Sequence, residues 1–116
     1  MERLVISNVI KELGIPANLK GYWYISYAIE LLLNNIELID RTMNIYIDVA
    51  TKFDSTPLRV ERAIRTAIET GWNRANKDLA KKMFGYSVDS NKGKPTNGEF
   101  LATVADYIFM THEKGK

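Results

Sequence analysis

Three arginines recur at intervals of three residues in the middle of the sequence. Arg59, Arg62 and Arg65 lie within the segment TPLRVERAIRTAIE, residues 56–69. At about 100° per residue, this spacing places the three side chains on one face of a helix. A guanidinium donates two parallel hydrogen bonds to the O6 and N7 atoms of guanine, and its charge attracts phosphates. The face is therefore predicted to contact a nucleic acid.

The opposite face of the same helix is apolar, and its members are Val60, Ala63, Ile64, Ala67, Ile68 and Gly71. The arginines lie toward the N-terminal half of the helix, where a cation gains nothing from the helix dipole, so local stability does not explain them. An exposed amphipathic helix with ordinary surface arginines is the simpler alternative, and the pattern alone does not exclude it.

Glu61 lies among the arginines, and two interpretations of it remain open. Its carboxylate is suited to accept a hydrogen bond from the amino group of cytosine. It is also four residues before Arg65, the spacing at which opposite charges pair on a helix.

The sequence before these arginines predicts a helix-turn-helix. Thr56-Pro57 is typical of an N-cap followed by proline at the first helical position, and the helix is predicted to run to about residue 72. A short helix precedes it, after a polar patch at residues 40–44, and its predicted apolar face comprises Ile47, Val49, Ala50 and Phe53. In such a motif the second helix enters the major groove by its N-terminus. We therefore expect the hydroxyls of Ser55 and Thr56, with the free N–H groups of the helix, to contact DNA phosphates.

The rest of the chain predicts four more helices and no strand, so the fold class is all-α, a six-helix bundle. The further helices span residues 3–13, 21 to about 36, 78–84 and about 97–109. The first has Leu4, Val5, Val9, Ile10 and Leu13 as its apolar positions. The last is capped by Thr96 or Asn97, and its apolar stripe comprises Phe100, Leu101, Val104, Ala105, Ile108 and Phe109. Trp23 and Trp72 are predicted to pack in the core.

Composition limits the remaining possibilities. A chain of 116 residues with 46% hydrophobic residues fits one domain, residues 1–116. The absence of cysteine excludes disulfides, thiolate zinc sites and thiol nucleophiles, and we expect no metal or cofactor. No apolar run approaches the roughly 20 residues of a membrane span, and no secretory signal is present, so a cytoplasmic location without membrane contact is predicted. The net charge of +2 is too small to indicate a polyanion partner by itself.

Residues 59–65 and 67–69 resemble the recognition helix of the stage-zero sporulation protein A family, the master sporulation response regulators of endospore-forming bacteria. The resemblance covers nearly the whole chain in order. It continues in GIPA at 14–17, KGY at 20–22, IEL at 36–38, FGY at 84–86, KPTN at 94–97, EF at 99–100, VAD at 104–106 and His112.

The resemblance implies the C-terminal effector domain of this family, with a helix-turn-helix made by the third and fourth helices. It implies a transcription regulator that binds short DNA boxes of the TTCGACA type as a paired dimer. The family's base-reading residues match Arg59, Glu61, Arg62 and Arg65. Backbone contacts are implied for the turn and for a basic loop with Lys92 and Lys94. Nothing in the chain resembles the family's phosphorylatable receiver domain, so we expect an excised effector or a free-standing relative.

Three departures from the family bear on its contacts. Thr66 replaces a common histidine on the DNA face, where we expect it to contact the backbone. Tyr107 and Phe109 stand in the last helix where basic residues are usual. The family uses this helix for dimer contacts and the surface near its last two helices for the housekeeping sigma factor of RNA polymerase. The changes therefore predict altered dimerisation or a weakened sigma contact.

Two other classes of function compete with DNA reading. An enzyme has little support, because His112 is the only histidine and lies near the C-terminus. The second alternative is an interaction module, a helical domain without a receiver that dimerises with a full-length regulator and antagonises it. That function tolerates the loss of base contacts, so the retained arginines argue against it.

Overall fold

The computed structural model describes residues 2–35, 42–85 and 93–113, and all regular elements within these ranges are helices. They are α1 (Glu2–Glu12), α2 (Lys20–Asn34), α3 (Thr42–Lys52), α4 (Pro57–Trp72), α5 (Lys77–Phe84) and α6 (Asn97–Ile108). A π-helical turn, Phe109–Glu113, continues α6. The predicted all-α fold of six helices is confirmed. The motif at 36–38, Tyr86 and Lys92 lie outside the described residues. None of the helices in the described part of the chain is long and apolar enough to cross a membrane.

Helix α2 is the central element of the bundle, packing against α1, α3, α4 and α6. Its buried residues are Gly21, Tyr22, Tyr24, Ile25, Ala28, Ile29 and Leu32. A helix that contacts four others needs apolar side chains over most of its circumference. The other helices are therefore positioned relative to α2, including α4 with its arginines.

Glycines fix the distance of α4 from its neighbours at the middle of the helix and near its C-terminal end. Gly21 of α2 lies so close that a Cβ there would overlap the Ala63 carbonyl oxygen and come within 2.6 Å of the Ala67 Cβ. A Cβ on Gly71 would lie 2.7 Å from Cγ1 of Ile15 and 2.9 Å from the carbonyl oxygen of Leu13. Glycine permits such an approach because it has no side chain. The backbone of α4 is thus held against α2 and the loop after α1.

A tight turn joins α3 to α4. The N–H of Ser55 donates to the carbonyl oxygen of Ala50 at 2.8 Å, closing the end of α3 as in a Schellman motif. This geometry requires a left-handed residue just before Ser55, and Asp54 has φ 54°. Thr56 then caps α4, since its side chain accepts a hydrogen bond from the Arg59 N–H at 3.2 Å. The predicted cap and the predicted proline at the first position are both confirmed.

The prediction for α3 was wrong at one edge of its apolar face. Ile47 is 49% exposed and Phe53 is 38% exposed. The buried series is Ile45, Tyr46, Val49 and Ala50. Apolar and aromatic residues are frequent between positions 45 and 50, so more than one face had a helical period, and the side that faces α2 and α4 is the one that begins at Ile45.

Two further core assignments were wrong. Leu4 is 61% exposed, and Ile6, which the prediction left out, is buried in its place. Trp23 is 54% exposed, and its indole N–H donates to the Ala17 carbonyl oxygen at 2.9 Å. Trp23 stands between two tyrosines that are both buried, and three consecutive helical residues cannot all point into one core.

Other core assignments agree with the structure. Trp72 packs edge-on against Phe84, with 5.2 Å between ring centroids. The α6 stripe is buried except at its last member, Phe109, which is 38% exposed. Thr96, rather than Asn97, caps α6 in a capping box with Glu99.

Candidate nucleic-acid interface

The outer face of α4 is mainly polar, with Leu58 as its exposed apolar residue. Its exposed polar members are Arg59, Arg62, Arg65, Thr66 and Glu69. The inner face buries Val60, Ile64, Ala67, Ile68 and Gly71 against the core. The amphipathic pattern predicted from the sequence is confirmed, and the structure brings all three arginines to one exposed surface.

The N-terminal half of this surface is cationic, and its one acidic residue, Glu61, is paired with Arg65. The first turn of α4 contains no acidic residue. Among the residues that the structure describes, ion pairs join only Arg65 to Glu61 and Arg3 to Glu30. Arg59 and Arg62 therefore present charges that no described carboxylate compensates. The positive end of the helix dipole lies at the same place, which adds to the attraction for an anion.

Arg65 differs because it is already bonded. Its guanidinium donates to the Glu61 carboxylate one helical turn earlier, with 54% of the arginine side chain and 25% of the glutamate side chain exposed. This hydrogen bond, reinforced by the charge of Glu61, raises the pKa of Arg65. The ion pair that the sequence left as one of two interpretations is thus present. The pair occupies one of five guanidinium N–H groups, so Arg65 keeps donors for a further ligand.

Asn97 joins the start of α6 to this pair. It is 9% exposed, and its side-chain amide donates to the main-chain carbonyl oxygen of Glu61 at 3.0 Å. The phenol of Tyr46 on α3 lies in the same cluster. Burial raises the pKa of Tyr46, although a hydrogen bond from Asn97 opposes this shift. Asn97 and Tyr46 therefore support the α4 turn that carries Glu61 and Arg65.

Sequence reasoning did not find this support. Asn97 was assigned only as an alternative cap, and Tyr46 was given no role. The contact joins residues 36 positions apart, and no local spacing indicates it. The only signal was chemical, because an asparagine and a tyrosine placed among core positions must find polar partners.

The predicted phosphate-contacting residues lie beside the arginine face. Ser55 is half-buried in the turn, and Thr56 is exposed with its oxygen engaged by the Arg59 N–H, which leaves the hydroxyl hydrogen to donate. Lys94 lines a cleft of about 580 Å³ that Arg65 and Glu69 also line. Lys92, the other predicted lysine, lies outside the described residues.

Leu58 is an exposed apolar side chain on the arginine face of α4, and the sequence patterns did not indicate it. It is 58% exposed at the second position of α4. It precedes Arg62 by four residues and Arg65 by seven, so all three share one side of the helix. An apolar group at such a place is suited to contact the methyl group of thymine.

The end of the chain presents a different surface. Tyr107 is half-buried and packs against the core, whereas Phe109 and Met110 are 38% and 50% exposed. His112 is exposed in the π-helical turn. Of the two residues predicted to form a partner surface, Phe109 is therefore the more available.

The chain matches the family described as sporulation initiation factor Spo0A C terminal over residues 6–108. The match runs from α1 to the last residue of α6 and includes the whole helix-turn-helix. The family consists of DNA-binding regulatory domains and is not an enzyme family. Its members act as response-regulator effectors in the transcriptional control of sporulation. Together with the exposed arginine face of α4, the match establishes that the chain belongs to the Spo0A C-terminal family of DNA-binding effector domains.

Proposed function

We propose that α4 enters the major groove of double-stranded DNA by its N-terminus and reads base edges with Arg59, Glu61, Arg62 and Arg65. The observation that carries this proposal is the exposure of Arg59 and Arg62, neither of which forms an ion pair with a described residue. Burial of the opposite face of α4 against the core leaves only the arginine face for a ligand. The major-groove edge of guanine offers an arginine two adjacent acceptors, O6 and N7.

The proposed contacts divide into two kinds. Arg59 and Arg62 donate to guanine, and Arg65 reaches a base while Glu61 fixes the direction of its side chain. Phosphate contacts come from Ser55 and Thr56 at the turn, from Thr66, and from Lys94 beside Arg65, with Lys92 as a further candidate. Leu58 contacts a thymine methyl group.

The boxes are of the TTCGACA type, and two chains occupy a pair of them. The apolar surface at the end of α6, with Tyr107, Phe109 and Met110, is the proposed contact between paired chains. Phe109 and Met110 are 38% and 50% exposed, which supports this role, because burying exposed apolar side chains against a partner is energetically favourable. The housekeeping sigma factor is a further proposed partner near the last two helices.

The test is the affinity for a fluorescent duplex with two TTCGACA-like boxes compared with a scrambled duplex, over a series of salt concentrations. We expect the specific duplex to bind roughly a thousandfold more tightly. Arg62→Ala should cost about 1–3 kcal/mol on the specific duplex and little on the scrambled one. Arg74→Ala is the matched control, because Arg74 is exposed beyond the end of α4 and outside its reading face.

Equal, weak binding of both duplexes with the same steep salt dependence would overturn this proposal. Only attraction to phosphates would then remain. The interaction module that antagonises a full-length regulator would become the better interpretation, and its test is co-purification with such a regulator.

A further inference from the structure

A groove lies on another side of the molecule, between α1, α2 and the end of α3. It has a volume of about 610 Å³. The side chains that matter for the argument are Leu4, Tyr22, Trp23, Tyr27 and Phe53. No residue of α4 lines the groove, so the groove is separate from the arginine face.

The groove gathers exposed apolar side chains that the fold does not use. Leu4, Trp23 and Phe53 are 61%, 54% and 38% exposed. They come from three different helical regions and meet at one place. Phe53 also contacts the rings of Tyr24 and Tyr27, with centroids 5.1 and 5.9 Å apart, so the surface is a preformed aromatic wall. Contiguous apolar surface of this kind marks a binding site more often than a scatter of single residues does.

The rim of the groove is basic. Arg3, Lys11 and Lys52 line it together with a single carboxylate, that of Glu30. Three cations and one anion give a net charge of +2 among the described rim residues, equal to the formal charge of the whole chain. Glu30 is paired with Arg3 at 3.3 Å, and Lys52 lies 5.6 Å above the Tyr27 ring. The remaining positive charge therefore lies at Lys11 and Lys52, beside the apolar wall.

We propose that this groove binds an acidic amphipathic helix of a partner protein. Two or three apolar side chains of that helix seat against Leu4, Trp23 and Phe53, and its carboxylates face Lys11 and Lys52. Helical lining walls offer no strand edge, so an extended peptide would gain no ladder of main-chain hydrogen bonds here. A second copy of the chain is a poorer occupant, because a two-fold contact would bring two basic rims together.

The probe is a labelled peptide of about 18 residues, long enough to hold a helix, with leucines at positions i, i+4, i+7 and i+11 and glutamates on the other face. There are two control peptides. In one, lysines replace the glutamates, and in the other, the residues of the acidic peptide are in scrambled order. By fluorescence anisotropy with the full chain, we expect a Kd below about 100 µM for the acidic helix. The lysine and scrambled peptides should bind at least about tenfold more weakly, and salt should weaken the acidic complex.

Variants of the chain locate the binding site. Leu4→Ser and Lys52→Glu should each reduce the affinity for the acidic peptide by about fivefold or more, because both residues line the groove. Ile47→Ala and Lys81→Glu are matched controls, since both residues are exposed outside the groove, and these variants should bind normally. All four substitutions are at exposed positions, and a melting curve verifies that each variant folds.

Three results would overturn the proposal. The first is equal binding of the lysine peptide. The second is competition between the acidic peptide and a DNA duplex together with loss of binding in Arg62→Ala, which would place the peptide on α4. The third is a concentration-dependent dimer, seen by sedimentation, that Leu4→Ser converts to monomer, because a second copy would then occupy the groove. None of these results depends on whether the proposed DNA box is correct.

Discussion

The two halves of the arginine face of α4 differ in whether their arginines are paired with a carboxylate. In the N-terminal half, Arg59 and Arg62 have no ion pair with any described residue and point into solvent. One turn later, Arg65 is bonded to Glu61, whose main-chain carbonyl is in turn held by the buried amide of Asn97. The first half is free to adjust its side chains, and the second is fixed by neighbouring helices.

In the proposed complex, this difference sets how each half contributes to DNA binding. Ordering a mobile arginine costs about 0.5–1.5 kcal/mol of the contact energy. Arg65 has already lost part of that freedom in the unbound chain. In the proposed complex it therefore determines register at lower cost, whereas Arg59 and Arg62 supply attraction and adapt to the site. Substitutions that separate the two halves therefore test the proposed division of roles.

The largest effect is expected from Gly21→Ala, which moves both halves together. The new Cβ would overlap the carbonyl oxygen of Ala63, so α2 and α4 must separate. We expect a loss of about 3 kcal/mol in the free energy of unfolding, as for overpacked cores. Urea unfolding measures this loss. At a temperature where the variant is folded, its affinity for the duplex should also fall, because every contact from α4 is displaced.

Gly85→Ala is the control for Gly21→Ala. Gly85 has φ 63° and ψ −125°, and a Cβ added to it would meet no atom within 4 Å, so alanine there causes no clash and costs about 1–3 kcal/mol of backbone strain. Its DNA affinity should be unchanged. If Gly21→Ala were as stable as the parent chain, the close approach of α2 and α4 would not be what positions the reading helix.

Asn97→Ala should damage the second half alone. It removes the donor to Glu61 and leaves the buried Tyr46 phenol without that amide, at a cost of about 2 kcal/mol. In this background we expect Arg65→Ala to have a smaller effect on duplex affinity, while Arg62→Ala keeps its full effect. Asn8→Ala, at an exposed position of α1, is the control. Equal loss of both arginine contributions would contradict the separation of the halves.

Glu61→Gln should have a smaller effect on stability, within about 0.5 kcal/mol, because ion pairs one turn apart on a helix contribute little when one partner is more than half exposed. Removing the negative charge of Glu61 should strengthen binding to a scrambled duplex. The ratio of the affinity for the specific duplex to that for the scrambled duplex should fall, because Glu61 no longer holds the Arg65 side chain in one direction. Glu69→Gln is the control, since it removes a carboxylate from the same face and should leave the ratio unchanged.

A scan of substituted bases sharpens this prediction. If Glu61 acts through Arg65, both Glu61→Gln and Arg65→Ala relax specificity at the same base pair. Relaxation at a different base pair would mean that Glu61 itself accepts from a cytosine.

The smallest effect is expected from pH at Tyr46. Burial raises the pKa of this phenol above its ordinary value of 10.0, so its contribution to stability is complete below pH 10 and is lost as pH rises through the folded-state pKa. Urea unfolding of the parent chain and of Tyr46→Phe should therefore diverge above pH 10, with the parent losing more stability. Parallel curves up to about pH 11 would contradict this assignment.

Local patterns predicted local structure well. The six helices, the Thr56 cap and the exposed arginine face all depend on residues within a few positions of one another, where helical period and capping chemistry decide the outcome. The errors occurred where apolar residues exceeded what one face can bury. Trp23 between two tyrosines is the clearest case, and the choice among them depends on the other helices.

The support behind Arg65 was beyond local prediction. The bond from Asn97 to Glu61 joins α6 to α4, and Tyr46 joins the same cluster from α3. Three helices must be packed before these atoms meet, and no spacing along the chain encodes that arrangement. The groove at Leu4, Trp23 and Phe53 was likewise hidden, because the helical pattern assigned all three residues to apolar, inward-facing positions.

The close contacts at Gly21 and Gly71 separate the architecture of this domain from its choice of operator. Gly71 lies on the side of α4 that faces the core, and Gly21 of α2 packs against the backbone of α4 at Ala63, so neither contact uses an arginine side chain. The outer positions, such as Leu58, Arg59 and Arg62, are therefore free to vary without shifting the helix axis. Selection from a randomised library at these positions should yield regulators with new operator preferences and almost unchanged melting temperatures, which makes the fold a scaffold for engineered gene circuits.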